Sequence, residues 1–255
     1  MAILSTGMGR SNHPKFIRAL QQYWVYSRSP FQSILFILPI LVVYELGLFL
    51  FNKSDVTGIR NGADVLLRHF YGLFGLYGFY AFALSLFVII IFALWLEHQR
   101  GGNFNIVPKY FLGMVGESLL YGAVLFILLS KIAAVDIQMG VPGQISVVQQ
   151  IILAFGAGVY EEFVFRVLIV SGVAAILTSL AGWKPISASI MGILLSAMIF
   201  SGFHYLGPLG DIFETRTFML RLFAGVILSG LYVARGFGIT AYGHIFYDLI
   251  IILFI

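Results

Sequence analysis

The sequence contains no cysteine and few charged residues. Without cysteine the chain can form no disulfide, no thiolate metal site and no lipid anchor on sulfur. Only 10% of its 255 residues are Asp, Glu, Lys or Arg, whereas about a quarter are charged in an ordinary soluble domain. So few charged side chains cannot cover the surface of a soluble protein of this length. The composition therefore excludes a soluble globular fold.

The basic residues are scattered singly between apolar runs. The net charge is +4 and the isoelectric point is about 9.3, but the sequence has no dense basic patch of the kind that binds nucleic acid. Nucleic acid is therefore excluded as a partner, and we expect the basic residues to contact the headgroups of membrane lipids.

Long hydrophobic runs are abundant, and the mean hydropathy is +0.98. A helix needs about 20 predominantly apolar residues to cross the hydrocarbon core of a bilayer. Runs of this kind occur at 31–51, 74–96, 111–134, 147–180, 186–205, 217–234 and 237–255. The sequence thus predicts an all-α, polytopic transmembrane bundle of about seven to eight spans. We expect residues 1–255 to form a single integral membrane domain, in the plasma (inner) membrane if the source is bacterial.

Two features modify this simple pattern. As one α-helix the run 147–180 would be about 51 Å long, so we expect it to tilt, kink or split near Ser171 and Gly172. The shorter amphipathic segments 13–28 and 63–71 are typical of interfacial helices that lie in the headgroup plane.

Six ionisable residues lie inside the hydrophobic runs of the second half. Each costs about 2.5–3.5 kcal/mol on insertion scales, so such residues indicate pairing or function. Glu162 and Arg166 are four residues apart and share a helix face, and so do His244 and Asp248. Glu161 lies about 100° further round its helix, so one glutamate is expected to neutralise Arg166 and the other to stay free for chemistry. The sixth residue is His204.

Taken singly, each of these groups also has a purely structural interpretation. Glu162 with Arg166 fits a buried ion pair that orients its neighbours. His204 fits an interfacial histidine, and His244 with its acidic partner fits a pair that holds two helices together. Two histidines and two adjacent glutamates on three spans nevertheless favour a shared site.

Three short motifs occur in order on successive hydrophobic segments of residues 145–255. They are Glu161-Glu162-x-x-Phe165-Arg166, then Phe200-x-x-x-His204, then His244-x-x-x-Asp248. Together they resemble the motifs of the CPBP family, the CAAX-protease and bacteriocin-processing family of intramembrane endopeptidases, also called Abi, which includes the CAAX-prenyl endopeptidases. Residues 145–255 are therefore interpreted as the catalytic-motif half of the domain.

The resemblance implies a peptidase that hydrolyses a peptide bond of a membrane-associated substrate, either a prenylated protein or a peptide. It implies that Glu161 activates water with the assistance of His204, and that His244 and Asp248 stabilise the oxyanion. The other motif residues would support this group: Glu162, Arg166 and Phe200.

Asp248 departs from the family pattern, because many relatives carry Asn there. An ionised Asp248 would repel an oxyanion, so it is expected to be protonated, to orient His244 or to help bind a metal. Glu161, His204 and His244 are also a set that could hold zinc, as in metalloproteases with two histidines and one glutamate. The cofactor is therefore zinc or none, and the resemblance favours the metal-free version because the family's metal dependence is disputed.

Two other functions compete with the protease. A non-catalytic scaffold or bacteriocin-immunity protein would bind a peptide in the same cavity. A proton-coupled transporter would use the same Glu, His and Asp residues as a relay, although the chain lacks the internal repeat typical of carriers. Glu45 and Glu117 are single membrane acids without a motif, for which we expect structural or interfacial roles.

Overall fold

The computed structural model describes residues 14–51, 60–76, 78–99, 101–102, 104–133, 146–207 and 210–254. Within these ranges the chain is helical and has no strand. The helices are α1 (Lys15–Ser27), α2 (Pro30–Phe51), α3 (Gly62–Gly72), α4 (Gly78–Gln99), α5 (Pro108–Ala133), α6 (Val147–Gly156), α7 (Ser171–Ser179), α8 (Pro185–Phe203), α9 (Thr215–Arg235) and α10 (Phe237–Phe254). Two π-helical stretches, Ala157–Glu161 and Phe163–Val170, lie between α6 and α7.

The described helices confirm the prediction of an all-α, multi-pass membrane protein. Six stretches are long and apolar enough to cross a bilayer: Pro30–Phe51, Pro108–Lys131, Val147–Ser179, Pro185–Phe203, Thr215–Arg235 and Phe237–Phe254. The seventh predicted run, 74–96, coincides with α4, of which Leu86–Gln99 counts as a shorter apolar helix. Residues 13, 77, 134 and 255 of the predicted segments lie outside the described residues.

Local sequence signals explain several helix ends. Ser146 and Gln149 form a reciprocal capping box that begins α6. Pro185 occupies the first turn of α8, where its missing N–H costs nothing. Gly236 has a φ of 84°, a left-handed conformation that glycine adopts without strain, and this lets the chain reverse between α9 and α10.

The two segments predicted to lie at the membrane surface are both helical, as α1 and α3. On α1 the apolar side chains of Phe16, Leu20 and Trp24 are exposed. Exposed apolar side chains on a short amphipathic helix fit a position in the headgroup plane.

The long run 147–180 does not split near Ser171 and Gly172. It continues as one helix from α6 to α7, and 157–161 and 163–170 adopt π-helical geometry within it. A π turn takes in more residues than an α turn, so it absorbs length, and such turns occur often at functional sites. Ordinary α-helical geometry resumes at Ser171.

The last helix, α10, is the most buried of the six candidate spans. It packs against α2, α5, α6, α9 and both π-helical stretches. It lies close to the π-helical turn at Gly158, where a Cβ atom would lie 2.3 Å from Cγ1 of Ile245 and 2.7 Å from the carbonyl oxygen of Ala241. The missing side chain at 158 therefore sets the distance between these two helices.

We expect Gly158→Ala to lower the stability of the folded protein by about 1–3 kcal/mol, because the added methyl group has no room against α10. Gly172→Ala is the matched control on the same run, since a Cβ there meets no described atom within 4 Å. Thermal unfolding in detergent measures both. Equal melting temperatures for the two variants would contradict the close contact at Gly158.

Candidate active site

The six ionisable residues singled out from the sequence come from three elements. Glu161, Glu162 and Arg166 lie on the π-helical run, His204 directly follows α8, and His244 and Asp248 lie on α10. Side-chain contacts connect all three elements to one another.

Glu162 lies at the centre of the buried polar contacts. Its Oε1 lies 2.7 Å from Nδ1 of His244, and its Oε2 lies 3.0 Å from Nε of Arg166. Both Glu162 and Arg166 are completely buried. The contact with Arg166 is an ion pair rather than a hydrogen bond, because the N–H is not directed at the oxygen. One carboxylate thus neutralises the arginine and also holds the histidine ring.

The second ring nitrogen of His244 faces Asp248. Nε2 lies 3.7 Å from Oδ2 of Asp248, too far for a hydrogen bond. Among the described residues this buried oxygen has no hydrogen-bond partner. His244 is therefore placed between two carboxyl groups, one in direct contact and one more distant.

Phe200 packs against three of the motif residues. Its ring is edge-on to His204 at a centroid distance of 4.9 Å and to His244 at 6.4 Å. The guanidinium carbon of Arg166 lies 4.6 Å from the centre of the same ring, within the range of a cation–π contact. In the described part of the chain the Arg166 nitrogens make no hydrogen bond, so this aromatic face is a principal neighbour of the buried cation.

His204 has a defined tautomer when it is neutral. Its Nδ1 lies 2.9 Å from the carbonyl oxygen of Phe200, and a carbonyl can only accept, so Nδ1 carries the proton. Nε2 is then left with a lone pair that can accept a proton. The charge of Glu161 acts on His204, as do those of Arg221 and Asp211.

Glu161 is held differently from its neighbour. It is buried, and its Oε1 accepts a hydrogen bond of 2.8 Å from Nδ2 of Asn61. No ion pair involves Glu161 in the ranges that the structure describes. The two adjacent glutamates therefore differ: Glu162 is bound by Arg166 and His244, and Glu161 is bound by a neutral amide.

The described geometry does not group Glu161, His204 and His244 as the ligands of a preformed zinc site. No three His, Asp or Glu side chains among the described residues are grouped so as to hold a metal.

The other membrane acids have partners outside this group. Glu45 accepts hydrogen bonds from Tyr160 and Arg68. Glu117 forms a bidentate ion pair with Arg235 and accepts a bond from the hydroxyl of Tyr23. These contacts fit the structural roles expected for both glutamates.

Asn61 is the residue near the candidate site that the sequence did not reveal. It stands 100 positions before Glu161, and no motif connects the two. The only local signal is that an asparagine precedes the amphipathic segment 63–71, which is typical of a helix N-cap. A cap signal predicts where a helix begins and does not predict what else the side chain contacts.

Comparison with known families supports the interpretation of this half of the chain. Residues 143–250 match the model of the family described as "Rce1-like: Type II CAAX prenyl endopeptidase Rce1-like". All six ionisable residues fall inside the matched segment, which covers less than half of the chain. No curated protein and no solved structure matches. The match confirms the resemblance predicted from the motifs, and it supports a CAAX-type intramembrane endopeptidase as the general class of activity.

Glu162→Gln is expected to destabilise the protein by about 3–5 kcal/mol, because it leaves the Arg166 charge buried without a counterion. Adding Arg166→Met to that variant is expected to restore part of the loss. Unfolding in detergent measures both effects.

The comparison variant is Asp211→Asn, which breaks the ion pair between a half-exposed carboxylate and Arg221. We expect it to cost less than about 1 kcal/mol. A Glu162→Gln protein as stable as Asp211→Asn would show that the buried pair does not stabilise the fold.

Proposed function

We propose that the chain, whose residues 143–250 are similar to the Rce1-like type II CAAX prenyl endopeptidases, hydrolyses a peptide bond with a water activated by Glu161 and His204. One observation carries the proposal. Of two adjacent buried glutamates, Glu162 is paired directly with a cation, while the hydrogen bond described for Glu161 comes from a neutral amide and His204 is among its electrostatic neighbours.

In the proposed reaction Glu161 takes a proton from water as the water oxygen bonds to the carbonyl carbon of the substrate. His204 assists through Nε2, whose lone pair is free because Nδ1 bonds the backbone. The C–N bond then breaks, and the proton held by Glu161 passes to the leaving amine.

The developing oxyanion requires donors or positive charge near it. His244 is the proposed donor in its protonated imidazolium form, in which Nδ1–H donates to Glu162 and Nε2–H, on the opposite side of the ring, donates to the oxyanion. Asp248 is proposed to be neutral or to orient that ring, since a bare carboxylate would oppose the charge of the intermediate. Its distance of 3.7 Å from Nε2 is compatible with either role.

The substrate is proposed to be a membrane-associated protein or peptide, prenylated or not, that reaches the site from the bilayer. The motif half 145–255 is proposed to work within a single membrane domain with the N-terminal helices, because α2 and α3 contact the π-helical stretch that carries Glu161. In a bacterial cell the protein would lie in the plasma (inner) membrane.

We expect Glu161→Gln to abolish cleavage, because an amide has the shape of the carboxylate and cannot act as a base. The matched control is Glu214→Gln, which changes an exposed acid just before α9 and is expected to keep full activity. Mass spectrometry of lipidated and unlipidated peptides, incubated with the purified protein, identifies the cleaved bond and shows whether a prenyl group is needed.

Adding a metal chelator to the same cleavage assay tests whether the water is activated by glutamate alone or by a zinc ion. Cleavage that is unchanged by the chelator is the expected result. Inhibition by the chelator that added zinc reverses would overturn the metal-free version, and full activity in Glu161→Gln would overturn the proposal itself. Cleavage by neither wild type nor variant, from a sample shown to be folded, would favour the scaffold or immunity function.

A further inference from the structure

Asn61 joins the candidate site to helix α3 through both ends of its amide. Its Oδ1 accepts the backbone N–H of Ala63 at 2.9 Å and so caps the start of α3. Its Nδ2 donates to Oε1 of Glu161 at 2.8 Å. The backbone N–H can only donate, so Oδ1 must face Ala63, and this assigns the N–H group to the glutamate side.

This hydrogen bond fixes one oxygen of Glu161, and among the described residues no hydrogen bond is made to the other. A donor to Oε1 favours the acceptor form of the carboxylate, which is the form that a base requires. Because Oε1 already accepts from Asn61 and no described residue donates to Oε2, Oε2 is the oxygen better placed to meet a water. Asn61 thus orients the side chain of Glu161 and determines which of its two oxygens faces the water.

A buried polar network holds Asn61 in place. The hydroxyl of Tyr44 accepts the backbone N–H of Asn61 at 3.3 Å and donates to Asp64 at 3.0 Å. Asp64 in turn accepts from Arg60 at 3.0 Å and from Arg68 at 2.6 Å.

The same hydrogen-bond network also reaches the helix that carries Glu161, the proposed base. Arg68 also donates to Glu45 at 2.8 Å, and Glu45 accepts the hydroxyl of Tyr160 at 2.9 Å. Burial lowers the pKa of Arg68, but Asp64 and Glu45 raise it by more, so the guanidinium stays charged. Tyr160 immediately precedes Glu161, so the bonds form a closed circuit from α3 through α2 to the π-helical turn.

We propose that Asn61 is a positioning residue for Glu161, held by the Tyr44–Asp64–Arg68–Glu45 network, so that the interfacial helix α3 is a working part of the catalytic half. The inference rests on the proposed function, because it assumes that Glu161 is the base. It adds a residue outside the segment that matches the family model. The activity of the motif half then depends on a helix in the N-terminal part of the chain.

The principal test is Asn61→Ser. Serine caps a helix about as well as asparagine, but its hydroxyl is too short to cap α3 and reach Glu161 together. We expect kcat to fall about ten- to a hundred-fold, because a misplaced base slows the chemical step. KM is expected to stay within about two-fold of the wild-type value and the melting temperature within about 3 °C. A purely structural role would instead lower the melting temperature and leave kcat per folded molecule unchanged.

Asn61→Asp is the second variant, since it also preserves the cap but replaces the donor with a negative charge beside Glu161. Its kcat is expected to fall below that of Asn61→Ser. If neither variant yields folded protein, Tyr44→Phe tests the same network one bond away and is expected to lower kcat several-fold with an unchanged KM.

The outcomes separate this inference from the proposed function. Wild-type kcat in a folded Asn61 variant, together with an inactive Glu161→Gln, would overturn the positioning role alone. Activity retained in Glu161→Gln would overturn the proposed function, whatever the Asn61 variants do.

Discussion

The buried charge of Arg166 is the constraint on which the candidate site depends. A guanidinium without access to water needs a counterion, and Glu162 supplies it from the same helix. The two oxygens of Glu162 contact Arg166 and His244, so this carboxylate is engaged on both sides. The remaining motif glutamate, Glu161, is left with a neutral neighbour, and this difference between adjacent carboxylates makes a division of roles physically reasonable.

Neutral and aromatic side chains also hold the residues of the candidate site in place. Phe200 covers the face of the arginine and packs against both histidines, so one side chain sets the spacing of three polar groups. The polar network of α2 and α3 connects to Tyr160, next to Glu161 on the same helix. The turn that carries both glutamates is therefore held from two directions, by α8 and α10 and by the N-terminal helices.

Much of the fold could be read from the sequence, because crossing a bilayer requires about 20 apolar residues and such runs are easily recognised. The pairing of Glu162 with Arg166 was also predictable, since it follows from spacing within one helix. Asn61 was not, because its contact with Glu161 depends on how distant helices pack. The π-helical geometry was not predictable either. The apolar pattern of 147–180 is that of an ordinary helix and does not distinguish a π turn from an α turn.

The π-helical turns also change the rotational phase of the helix. Each wider turn shifts the face presented by the residues that follow it, relative to an uninterrupted α-helix. Before the turns, α6 packs against α2, and after them, α7 packs against α8. One membrane helix therefore belongs to two different packing surfaces, and the glutamates lie where it passes from one to the other. Deleting a single residue between 157 and 170 would either convert a π turn to α geometry or rotate the residues after it by about 100°, and both would move the glutamates relative to a packing surface even if every motif residue were retained.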